Sequence, residues 1–143
     1  MATYNKFQDF AEQLAKGKHD FSAHSFKVAL TNTAPVNTQT SFDAVTNHAA
    51  PAAANGYTPT ATTITTSEAS GTMTISGTQV VFTATSGGIG PFRYAVLYND
   101  TATSPTDALI AWWDYGSSIT LADTETFTVK FNNASPGTIM TIA

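Results

Sequence analysis

The sequence predicts a mainly β fold: an antiparallel β-sandwich or jelly-roll-like barrel of about seven to nine strands, preceded by one short amphipathic α-helix. Three observations carry this expectation. From Thr60 onward, runs rich in Thr, Val, Ile and aromatic residues follow one another closely, each bounded by Gly, Pro, Asn, Asp or Ser. Charged residues supply only 11% of the chain, against about 25% in ordinary soluble proteins. Thr, Ala, Ser and Asn take their place, and these suit pleated strands and turns. Finally, the strand-like runs do not alternate with helical patterns, which excludes a βαβ fold. The 143 residues suit a single core that buries roughly 70% of the unfolded surface.

In YNKFQDFAEQLAKGK the apolar residues Tyr4, Phe7, Ala11 and Leu14 recur at helical spacing, with Phe10 widening the stripe. Thr3 is the expected cap, and Lys16, Gly17 and Lys18 the expected stop. Residues 1–20 therefore read as a helical arm and residues 21–143 as one β-sandwich domain. Two placements satisfy the apolar stripe: an anchor on another chain, or a helix folded back over its own sheet. SFKVALTN then alternates Phe26, Val28 and Leu30 with other residues and reads as the first strand. The segment from Thr33 to Thr60 is long for a connection, with a helical turn expected in FDAVTNHA; loops of this length are often functional or interface-forming.

TATTITT, GTMTIS, TQVVFTAT, PFRYAVLYN, ALIAWWDY, ETFTVKF and TIMTIA are the remaining expected strands. SGT reads as a tight hairpin between the second and third of these, and SGGIG, NDTATSPTD and GSSITLAD as turns. On PFRYAVLYN, Phe92, Tyr94, Val96 and Tyr98 should share one face and Arg93, Ala95, Leu97 and Asn99 the other. A strand so apolar on both faces is central, and Arg93 then needs a counter-charge such as Asp114. In AWWDY the alternation sends Trp112 and Trp113 to opposite faces, so one is core and the other faces a partner unless a second layer covers both.

Little in the chain points to chemistry. Gly88 and Gly90 begin a G-x-G-x-x-G pattern, but Arg93 occupies its third position and a strand follows instead of a helix. The glycines read as a corner between sheets. His19, Asp20 and His24 lie close in sequence, yet a five-residue interval separates the histidines on either a strand or a helix, and His48 stands alone. Asp100, Asp107, Asp114, Asp123 and Glu125 sit beside turn residues, and no nucleophile elbow is present. A non-enzymatic protein without a cofactor is expected. With no cysteine, thiol chemistry is absent. The net charge of −4 gives no field to attract nucleic acid. The first twenty residues hold no signal-peptide core and no segment approaches the ~20 apolar residues of a membrane span, so synthesis in a cytoplasm without export or membrane insertion is expected.

FQDFAEQLAKGKHDFSAHSFKVALTN, ANGYTPTATT, GPFRYAVLYNDT, LIAWWDYG and TLADTETFTVKF together resemble a family of small tailed-bacteriophage virion structural proteins, over nearly the whole chain. The resemblance implies a structural role, as a head decoration or cement protein on the capsid surface whose partners are the major capsid protein and further copies of itself. A tail role is the alternative, as a receptor- or carbohydrate-binding module or a tail-tube or connector subunit. It implies no catalytic residues. The candidate partner-binding residues are Tyr4, Phe7, Phe10 and Leu14 on the helix stripe, with Trp112 and Trp113.

Overall fold

A computed structural model of the chain describes residues 2–43, 51 and 54–143; most of FDAVTNHA, including His48, lies outside these. Ten strands and one α-helix follow in order: β1 (Thr3–Lys6), α1 (Asp9–Ala15), β2 (Phe26–Thr31), β3 (Thr60–Thr62), β4 (Ile64–Ala69), β5 (Thr72–Gly77), β6 (Val80–Thr83), β7 (Ile89–Thr103), β8 (Thr106–Leu121), β9 (Thr126–Val129) and β10 (Gly137–Ile142). All pairings between them are antiparallel. A five-stranded sheet runs β1-β8-β7-β2-β3, and two smaller sheets run β10-β5-β4 and β6-β9.

The smaller sheets form one bent layer. β3 runs on into β4 and β5 into β6, and the two lines of chain are stitched at the bend, where the Thr78 N–H donates to the Thr63 carbonyl at 3.0 Å and the Thr63 N–H to Thr78 Oγ1 at 3.0 Å. This layer covers one face of the large sheet. Phe26, Val28, Leu30, Phe92 and Leu97 from the large sheet meet Ile75, Val80, Phe82, Phe131 and Ile139 in the main core. Burial of each such side chain contributes roughly 1.5–3 kcal/mol, which is what holds two layers of Thr-rich strands together.

The opposite face of the large sheet carries a second cluster of Phe7, Ala29, Val96, Tyr98 and Leu109, with Phe42 and Trp112 against it. The N-terminal segment and the residues after β2 contribute to it and border it. β1 pairs with β8 over residues 111–114, the Phe7 N–H donates to the Ile110 carbonyl, and further along the same edge Ser41 bridges Ala108. Phe42 stacks flat on Tyr98, with ring centroids 4.5 Å apart.

Several elements differ from expectation. The helix begins at Asp9, and Thr3, the expected cap, starts a strand instead. TYNK suits either structure locally, and the open edge of β8 decides it by offering hydrogen bonds that an isolated first helical turn lacks. The end of the helix is as expected, with Gly17 at φ 72° and its N–H bonded to the Leu14 carbonyl. The segment is no free arm: Phe7 is 0% and Phe10 2% exposed, both consumed by the chain's own core.

SGT is not a hairpin, since β5 passes straight into β6 and the two take different partners. The tight turn is instead Ser70–Gly71 between β4 and β5, where both φ angles are positive as a type I′ hairpin requires. NDTATSPTD and GSSITLAD are largely strand, because β7 and β8 continue pairing from Ile89↔Leu121 to Thr103↔Thr106. Irregularities in that ladder between Phe92 and Tyr94 break the alternation. Phe92 therefore joins the main core, while Tyr94 stands with Trp112 on the other face. The glycine stretch does lead from one sheet into the next, but β7 already begins at Ile89, and the glycines serve close approach to β8: a side chain on Gly88 would come within 2.5 Å of the Leu121 carbonyl oxygen, and one on Gly90 within 2.8 Å of that of Ile119.

Candidate functional site

The sandwich is open along one seam. β1 ends the large sheet, while β9 and β10 end the smaller ones, each with a strand neighbour on one side only among the described residues. Between these edges lies a cleft of about 800 Å³. Tyr4, Trp113 and Tyr115 form its wall on the β1 and β8 side, and Phe127, Val129 and Ile139 the wall on the β9 and β10 side. Leu30, Phe92 and Ala95, all buried, lie at its base.

The lining follows from strand register. Tyr4 is the direct cross-strand neighbour of Trp113, so both rings project to the same face and meet edge-on, 5.7 Å apart at 61°. Trp113 also touches Phe131 at 5.2 Å. Phe127 meets Phe92 at 5.0 Å and Tyr115 at 5.9 Å, again edge-on. Tyr4 and Tyr115 remain 40% and 54% exposed, so an apolar, accessible surface is held in a fixed shape. Partial burial raises the pKa of the Tyr4 hydroxyl.

Polar groups stand at the rim. Arg93 and Asp114 form the expected pair, bidentate, with Nε to Oδ1 at 2.7 Å and Nη2 to Oδ2 at 2.9 Å. These hydrogen bonds hold the Asp114 carboxyl below the usual carboxylate range, and the Gly116 N–H donates to the same group at 2.8 Å. Lys130, Asn132 and Asn133 stand on the other wall, and the lining contains Arg93 and Lys130 but no Asp or Glu.

The six expected partner-binding residues divide accordingly. Tyr4 and Trp113 line the cleft. Phe7 and Phe10 are buried in the chain's own cores, and Leu14, partly buried, packs against one of them. Trp112 lies against the second cluster, where it meets Tyr94 at 5.8 Å and its buried Nε1 has no hydrogen-bond partner. Thus both tryptophans are covered in part, on opposite faces. Phe92, Tyr115, Phe127 and Lys130 belong to the cleft although nothing in their local sequence marks them; only the pairing of strands far apart in the chain assembles them.

His19 and His24, which regular spacing would separate, come together because residues 20–24 turn. Asn99 is 0% exposed, and its Nδ2 lies 3.2 Å from His19 Nδ1, 2.9 Å from His24 Nδ1 and 3.0 Å from the Lys18 carbonyl. The Thr101 N–H donates to Asn99 Oδ1 at 3.0 Å, which fixes the amide so that its nitrogen donates toward the histidines. The space where a metal would sit is taken by an amide. Burial, helped by the nearby His24, lowers the His19 pKa to about 4. Among the described residues no three His, Asp or Glu side chains converge to hold a metal ion. Glu125 closes a turn, accepting from the Ala122 N–H, whereas Asp123 accepts from the distant Gly87 N–H in the glycine stretch.

Compared with known proteins, the chain matches no family model, no curated protein and no solved structure.

Proposed function

We propose that the protein is a non-enzymatic structural subunit of a tailed-bacteriophage virion, a decoration or cement protein that sits on the capsid and uses the aromatic cleft to hold the coat. The single observation that carries the binding reading is the open seam: an apolar cleft, rigid and accessible, flanked by strand edges that have spare backbone hydrogen-bonding groups. The virion assignment is supported by the sequence resemblance. Surfaces rich in Thr, Ser and Ala with few guarding lysines suit a chain whose edges are covered on assembly. On a symmetric shell, many copies of one modest contact give high avidity.

The test is co-sedimentation of the purified protein with assembled capsids, with immunogold labelling of intact particles. Saturable binding to shells and label over heads support the reading; label confined to tails, or no association with particles, contradicts it.

A second reading has one observation in its favour. Trp113 and Tyr115 in an open cleft beside Asn132 and Asn133 also suit a carbohydrate, as a receptor-binding tail module would require. Selective glycan binding without shell binding would decide for it.

A further inference from the structure

The occupant of the cleft can be specified further from its edges and its charge, resting on the reading of the cleft as an assembly surface. We propose that it takes an extended acidic peptide segment of the assembly partner, which adds as a strand to the open edge of β9. An apolar side chain of the segment seats among Phe92, Trp113 and Phe127, one carboxylate reaches Lys130 on the β9 wall, and another reaches Arg93 on the opposite wall.

β9 is a regular strand paired through Val80↔Val129, Val81↔Thr128, Phe82↔Phe127 and Thr83↔Thr126, and β6 is its one partner among the described strands. Its other edge opens on the cleft. Between Glu125 and Lys130 its four residues carry neither proline nor charge, so no side chain within the strand blocks addition of another. A strand laid there alternates its side chains. One set points inward with half-buried Phe127 and buried Val129; the other points outward with exposed Thr128 and Lys130. The fitting sequence therefore alternates apolar and acidic residues.

Charge sets the sign. The chain has ten acidic and six basic residues, yet the charged groups lining the cleft are Arg93 and Lys130; Arg93 is paired with Asp114 beside it, which leaves Lys130 to set the sign. Only two of the five guanidinium N–H groups of Arg93 are used on Asp114, leaving donors for a second carboxylate. Tyr4 meets Trp113 and Phe127 meets Tyr115 edge-on, and together these rings line a slot that suits an apolar side chain. A second copy is disfavoured as the donor. Its most exposed strand, β4, has one acid, Glu68, and that carboxylate already accepts from the Gly71 N–H at 2.7 Å.

The test begins by panning a display library of random nonapeptides on the whole protein. The best selected peptide is then made with a fluorophore and titrated by anisotropy. The expected selection is a pattern of alternating apolar and acidic residues. Exchanging the probe's acids for lysine weakens binding at least tenfold, and so does N-methylating its alternate amides, which blocks strand pairing without touching the protein. Lys130→Glu weakens it about fivefold or more, and Tyr115→Ala, a surface change that leaves the fold intact, weakens it as well. No enrichment, enrichment of basic or uncharged sequences, indifference to N-methylation, displacement of the probe by maltohexaose, or displacement by self-association of the protein would each overturn the proposal. Capsid co-sedimentation separates the two levels. Shell binding that Tyr115→Ala abolishes, with non-acidic peptides selected, removes only the occupant; acidic peptides selected by a protein that ignores shells removes the virion reading and leaves the occupant standing.

Discussion

On one face of the large sheet, Phe7, Val96 and Tyr98 lie buried, with Phe42 from the segment after β2 stacked on Tyr98 and Trp112 packed against the cluster. At the seam, Tyr4 from β1 and Trp113 and Tyr115 from β8 are just as aromatic, yet among the described residues no further strand covers them. The two regions differ in strand supply, not in composition. β8 carries Trp112 to the face that the chain completes and Trp113 to the face that it leaves open. An aromatic residue thus indicates partial or full burial, while topology decides whether the chain's own strands complete it.

The largest expected effect breaks the closed side. Removal of residues 1–18 should abolish cooperative unfolding, because it strips β1 from β8 and empties the sites of Phe7 and Phe10. Phe7→Ala alone should cost about 3–5 kcal/mol, read from urea denaturation. A truncated chain with native circular dichroism and an unchanged midpoint would show that the closed side is no more integral than the seam.

The second effect concerns His19, packed between Phe10 and Phe21. Its pKa falls from an ordinary 6.5 to about 4 on folding, through burial first and the charge of His24 second, with Asp9 opposing. The unfolded chain therefore takes up a proton at a higher pH than the folded one. The contribution to stability is complete above pH 6.5 and is lost as pH falls toward 4, by at most about 1.4 kcal/mol per pH unit and about 3 kcal/mol in all. Urea midpoints from pH 7 to 4.5 check this: a decline that His19→Gln flattens is expected, and a pH-independent midpoint would remove His19 from the account.

The smallest effect on stability belongs to the open side. Tyr115→Ala should change stability by no more than about 0.5 kcal/mol, since the ring is 54% exposed, while lowering capsid binding severalfold in co-sedimentation. A variant that unfolds would place Tyr115 with the core; one that binds shells normally would detach the cleft from assembly.

The sequence disclosed strand-forming runs better than their connections. β2, β5 and β6 lie where period-two patterns put them, and the Arg93–Asp114 pair was legible because a charge on a doubly apolar strand needs a counter-charge. The SGT turn was misread because Gly77 looks like a hairpin residue; in the fold it is small because the Phe131 ring lies within 2.8 Å of where a Cβ would be. The strand at Thr3–Lys6 was hidden because Tyr4, Phe7 and Leu14 fit a helical stripe, and only the distant edge of β8 selects otherwise. Of the site, Tyr4 and Trp113 were visible as large aromatics, but Phe127 and Lys130 sit on an unremarkable strand that β6 pairing carries to the seam. The irregular step between Phe92 and Tyr94 likewise has no local signal.

The most direct test of the cleft as an assembly surface is hydrogen exchange of the protein free and bound to capsids. Slowed exchange concentrated in residues 2–6, 126–130 and 137–142, the three edges of the seam, is the predicted result. Protection confined to β3, β4 or the far face, with the seam exchanging as fast as in the free protein, would contradict it.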